Sequence, residues 1–116
     1  MNNEEYIVSQ LLWYDSERAL LPKMKKEWFT DDFNKKVIDV LTQLYYDNEP
    51  IDVVTMGRKF EKKEIIRVIQ LQQNVYGEPN VQRYLYELEA NYLQKKFIDK
   101  IQAINTTASL SDLISY

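Results

Sequence analysis

Apolar residues recur along this chain at intervals of three and four, the spacing that gathers side chains on one face of an α-helix. Ile7, Val8, Leu11 and Leu12 set the pattern in a first helix from Glu4 to Trp13. Glu4 and Glu5 sit in its first turn, where the helix dipole favours negative charge. Asp15-Ser16 reads as a turn or a new cap. Arg18 to Met24 reads as a short helix that Pro22 either interrupts or opens. Thr30-Asp31-Asp32 predicts a helix start, a hydroxyl cap followed by two first-turn carboxylates. Phe33, Val37, Val40, Leu41 and Leu44 then carry one stripe through a helix from Asp31 to Tyr46, and Ile38 and Tyr45 widen it. Asp47-Asn48-Glu49-Pro50 stops that helix. Asp52 predicts an N-cap for a helix over Val53 to about Lys62, the pair Lys62-Lys63 a break or a sharp bend, and Glu64 to Gln73 a further helix. The stretch from Asn74 to Asn80 is the strongest loop signal in the chain. After it the longest helix runs from Val81 to Ile104 and ends at Asn105-Thr106-Thr107. Ser109-Leu110-Ser111-Asp112 resembles a capping box that opens another.

Composition narrows the chemistry. At 116 residues and 45% hydrophobic the chain fits one domain with one core. It has no apolar run of membrane-spanning length, and its acidic start lacks the basic and apolar regions of a secretory signal. With no cysteine it has no disulfide framework and no thiolate chemistry. With no histidine it also lacks the commonest general acid/base and the commonest metal ligand. Its two glycines, Gly57 and Gly77, are too few for a phosphate-cradling loop or a dinucleotide fingerprint. No catalytic residue, cofactor site or metal site is expected in this chain. The formal net charge of −3 gives no global field that draws nucleic acid.

The stretch from Phe29 to Glu61 resembles, without gaps, the N-terminal domain of the DnaB family of bacterial replicative helicases. The residues that carry the resemblance are Phe29 ahead of a helix, the apolar pair Val37-Ile38, the turn Pro50-Ile51-Asp52, and Thr55 three residues after the aspartate. Upstream, Glu5, Val8 and Leu12 fall where the family has its opening helix; downstream, Asn80 and Tyr84 are similar to the Asn and Tyr that introduce the family's helical hairpin. The chain departs from the family at four places. Gln10 stands for a helix-one glycine, Asn34 for a frequent histidine, and Gln94-Lys95 for a usual Val-Arg. The segment from Lys62 to Arg67 is short and lacks a glycine pair.

The resemblance implies an all-α fold: a compact orthogonal multi-helix head over residues 1–80, then over 81–116 the long helix and the start of a second helix of an antiparallel hairpin, all in one domain. That second helix would be truncated, so a fragment of a longer protein is expected. The role implied is non-catalytic: hairpins pair between subunits into a collar on a hexameric ring, and the collar docks a primase or a helicase loader. ATP and magnesium would belong to a separate C-terminal helicase domain outside this chain. A cytoplasmic setting in DNA replication follows. A free-standing helical adaptor, such as the helicase-binding domain of a primase or a loader-like protein, is the nearest alternative.

Residue by residue, structural roles outweigh chemical ones. Asp52 reads as an N-cap rather than a ligand or base. Asp47, Glu49 and Asp52 lack the glycine and distal glutamate of a calcium loop and read as a solvated turn. Lys23, Lys25, Lys26, Lys35 and Lys36, with Trp28 and Phe29 nearby, would suit a helical nucleic-acid-binding domain. A solvated face over core aromatics is the preferred reading, with DNA contact weak or absent. A helix from Val81 to Ile104 spans roughly 35 Å, more than one small core covers. Tyr92, Phe97 and Ile101 lie furthest from the head, and with Leu110 and Leu113 they are the candidate subunit or partner interface. They are expected to bury against a second hairpin in a dimer, to pack within the chain against Leu110, Leu113 and Ile114, or to do both.

Overall fold

A computed structural model describes residues 2–75 and 77–107. The described residues form five α-helices and two 3-10 helices and contain no strand. Helix α1 (Asn3–Trp13) is capped by Asn2, whose side chain accepts from the Glu5 amide at 2.8 Å. Ile7, Val8, Leu11 and Leu12 are fully or almost fully buried, and α1 is the central element, packing on α2 (Asp32–Tyr46), α4 (Lys62–Gln73) and α5 (Val81–Thr107). Its last carbonyls are orphaned, as at any helix end. Arg18 answers two of them, donating to the oxygens of Leu11 at 2.9 Å and Leu12 at 3.1 Å. Gln72 of α4 adds a third bond, to Leu12 at 3.2 Å.

Between α1 and α2 the chain runs through 3-10 helices at Asp15–Lys23 and Lys26–Trp28. The short helix expected from Arg18 is therefore a 3-10 helix that starts three residues earlier, with Pro22 inside it and Leu21 fully buried. The cap of α2 is also displaced from expectation. Asp31, not Thr30, accepts from the amides of Phe33 at 2.8 Å and Asn34 at 3.4 Å. Thr30 is occupied elsewhere: its amide and hydroxyl both donate to the Glu4 carboxylate. Glu4 also accepts from the Asp31 amide and the Asn34 side chain, so it ties the start of α1 to the start of α2 from a nearly buried position.

Helix α3 (Val53–Gly57) stops five residues before the expected Lys62, and Asp52 caps it by accepting from the Thr55 amide at 2.7 Å. The break falls at residues 58–61, and Lys62 opens α4 instead of interrupting a helix. There Glu64 reaches back to accept from the Glu61 amide at 2.9 Å, an N-terminal fastening that the lysine pair concealed. The core is closed by Phe29, Val37, Ile38, Leu41, Leu44, Met56, Val68 and Leu71, and by Val81 and Leu88 of α5. The first turns of α5 thus pack on the head. The rest of the helix projects, giving extents of 60 × 29 × 27 Å. It continues through Asn105-Thr106-Thr107, where the sequence pattern predicts its end; Ser109-Leu110-Ser111-Asp112 lies outside the described residues.

Candidate interaction surface

The direction of α5 is set by the loop before it. Gln10, fully buried on α1, donates from Nε2 to the Glu78 carbonyl and the Tyr6 hydroxyl, both at 2.8 Å, and accepts at Oε1 from the Asn80 amide at 2.9 Å. The Tyr14 hydroxyl donates to the Gly77 carbonyl at 2.7 Å. Gly77 has φ +81°, and a Cβ there would meet the Tyr6 hydroxyl at 3.0 Å. Tyr6 in turn packs on Tyr84 of α5, with ring centroids 4.3 Å apart. Where the family pattern has a glycine, this chain places a side chain that grips the loop. The signal was available in the sequence: a polar residue among Ile7, Val8, Leu11 and Leu12 must find partners if it is buried. Glu4, one turn ahead of Ile7 and Val8, gave the same signal.

Held this way, α5 has two opposed faces. Val81, Leu85 and Leu88 pack inward on the head. At about 100° per residue, Phe97 lies about 180° around the helix from Leu88. Tyr86, Ala90, Leu93, Phe97, Ile101 and Ile104 share that outward side within an arc of about 80°, over about 27 Å of helix. It is an exposed apolar stripe: Phe97 is 65% exposed, Leu93 55% and Ile101 41%. Of the expected interface residues, Phe97 and Ile101 are brought together here. Tyr92 points about 140° away from Phe97. It is half-buried on the head-facing side, with the Lys96 ammonium 5.3 Å from its ring centre. Leu110 and Leu113 lie outside the described residues.

On that head-facing side a groove of about 490 Å³ runs between α5 and the segment leading into α2. Trp28, Leu88 and Tyr92 form its apolar part, and Lys35, Lys95 and Lys96 stand around it. The basic cluster read from the sequence is thereby divided. Lys26 pairs with Asp39 at 3.7 Å and Lys36 with Glu64 at 2.7 Å, while Phe29 is buried and presents no face for a base to stack on. Among the described residues no group of three acidic side chains is placed to hold a metal ion, and Asp52 serves as a cap. No helix of the described residues is long and apolar enough to cross a membrane.

The two resolved shifts in protonation belong to the α3–α4 corner. The Asp52 carboxyl is held below its ordinary value of 3.8, chiefly by the Thr55 amide and then by the Thr55 hydroxyl. The Glu64 carboxyl is held below 4.5, chiefly by the hydrogen bond from Lys36 and then by the Glu61 amide. The first follows from the fastening of a helix start; the second follows chiefly from the ion pair that ties α2 to α4 and then from the fastening of the α4 start.

A family model described as DnaB-like helicase N terminal domain matches residues 1–90. No curated protein and no solved structure matches the chain. The match takes in the head, the Gln10-held loop and the first turns of α5, and it ends at Ala90, before most of the outward stripe. This chain belongs to the family of DnaB-like helicase N-terminal domains.

Proposed function

We propose that this chain is the non-catalytic assembly and partner-docking domain of a DnaB-like replicative helicase, acting in DNA replication in the cytoplasm. The observation that carries the proposal is the outward stripe of α5. Large apolar side chains aligned over about 27 Å, on the side of the helix away from the head, have no partner in their own head. Such a face is stabilised by burial against another helix, and a rigid helix held at a fixed angle presents it well. The stripe pairs with α5 of a second copy, and in the parent protein such pairs contribute to the hexamer on which a primase or loader docks. The matched family, whose domain is non-catalytic, supports this reading. ATP hydrolysis, with its magnesium, belongs to the parent's C-terminal helicase domain.

Light scattering on the chain across a concentration series tests it. The wild-type mass rises towards a dimer at micromolar concentration, and Phe97→Asp abolishes the rise while leaving the circular dichroism spectrum unchanged. A wild-type mass that stays monomeric into the high micromolar range removes the self-pairing.

A further inference from the structure

Charge is distributed unevenly along α5, and the outward stripe runs between the charged groups. Glu87 and Glu89 fall in the first half of the helix; Lys95, Lys96 and Lys100 fall in the second, where Asp99 is the only carboxylate. Asp99 lies about 160° around the helix from Phe97, on the side that faces the head. Glu89 and Lys100 lie about 80° and about 60° from Phe97 on one flank of the stripe, and Glu87 lies about 80° away on the other. Glu87 accepts from the Asn3 side chain at 3.0 Å. Neither Glu89 nor Lys100 is in an ion pair among the described residues.

Two α5 helices that meet through their outward stripes can run parallel or antiparallel, and the flanks distinguish the two. In a parallel pair each flank meets the opposite flank of the other helix at the same level. Glu87 then stands beside Glu89 of the second copy, twice over, and Lys100 meets no carboxylate. In an antiparallel pair each flank meets its own counterpart running the other way. With the stripe from Tyr86 to Ile104 fully overlapped, its midpoint falls at Lys95. Glu89 then comes level with Lys100 of the second copy, to within about 1.5 Å along the axis.

We propose that the outward stripe pairs antiparallel with the stripe of a second copy, with two symmetry-related contacts between Glu89 of one chain and Lys100 of the other. The inference rests on the self-pairing proposed above and adds its direction, register and charged contacts. Burial of Leu93, Phe97 and Ile101 supplies most of the affinity. The charges choose the direction: opposite charges at an exposed rim attract weakly, and like charges brought together act against the parallel alternative. The family match ends at Ala90, so Lys100, one half of the contact, lies outside it.

The test uses the full chain at low salt, with dimerisation followed by light scattering. Glu89→Lys sets lysine against Lys100 at both contacts and is expected to raise the dimer Kd about tenfold, about threefold for each. Parallel pairing predicts the opposite sign, because the new lysine would face Glu87. Glu89→Lys combined with Lys100→Glu exchanges the charges and restores a Kd within about threefold of the wild type. Disulfides read the direction independently, since the chain has no cysteine of its own. Antiparallel pairing holds two Ala90→Cys thiols about 15 Å apart along the axis, beyond the roughly 7 Å between Cα atoms that a disulfide spans, so that variant does not cross-link to itself. A mixture of Ala90→Cys and Ile101→Cys chains does. The antiparallel contact is overturned, with self-pairing left in place, by any of three results: a Kd that Glu89→Lys leaves unchanged or lowers, no recovery on charge exchange, or an Ala90→Cys disulfide that forms faster than the mixed one. A wild type that stays monomeric into the high micromolar range overturns both readings and leaves the stripe to a different occupant.

Discussion

Gln10 shows how a single side chain can replace a backbone solution. A glycine at this point of α1 would let the loop before α5 approach closely. Here the amide fills the space and bonds to Glu78 and Asn80, so the loop is held by hydrogen bonds instead of by proximity. Gln10→Leu keeps most of the volume and removes those bonds. It is expected to cost about 1–3 kcal/mol in urea unfolding, the penalty for stranding buried donors and acceptors. Gly77→Ala acts on the same loop by a different cause. The residue sits at φ +81° with the Tyr6 hydroxyl 3.0 Å from where a Cβ would stand, so about 1–3 kcal/mol is expected there too. Because both changes release one loop, the double variant should lose less than the sum; additivity within about 0.5 kcal/mol would show that the two act separately.

Helix starts in this chain are fastened by carboxylates: Asp31 on α2, Asp52 on α3 and Glu64 on α4. The last two tie this to pH. A carboxylate depressed in the folded state binds protons more weakly folded than unfolded. Its contribution is therefore complete above its unfolded value and is lost as pH falls through the lower folded value. The urea midpoint should be level above about pH 5 and decline below about pH 4. Replacing both groups, Asp52→Asn with Glu64→Gln, should flatten that decline; a decline of undiminished steepness would assign it to other carboxylates. The apolar positions of α5 fall on two opposed faces, one packed on the head and one exposed on the outside.

For the whole molecule, the division of labour follows from where α5 points. The head supplies a fixed mount, and the helix carries an apolar face outward and a mixed, lysine-bearing face over the groove. Ionic strength tests the outward face. Association through Phe97 and Leu93 depends on apolar burial and should be almost unaffected between low and physiological salt. Dissociation of the dimer as salt rises to physiological strength would assign the pairing to charged groups instead.

The sequence by itself determined the all-helical class, the order of the long elements and most of the core, because three-and-four spacing of Ile, Val and Leu has one economical outcome in water. It also determined that Phe97 and Ile101 share a face, since that is a property of helical period alone. Helix ends were less legible. Thr30, Asp31 and Asp32 are all plausible caps, and only the position of Glu4 on another helix decided that Thr30 would be taken. The tertiary structure alone decided that Tyr92 turns to the groove while Phe97 turns out. It also decided that Lys35 and Lys95 line one groove, and that Gln10 reaches the loop at Glu78 and Asn80. Each of these depends on the angle at which α5 leaves the head, and that angle is fixed by contacts between residues more than 55 positions apart, which no local pattern encodes.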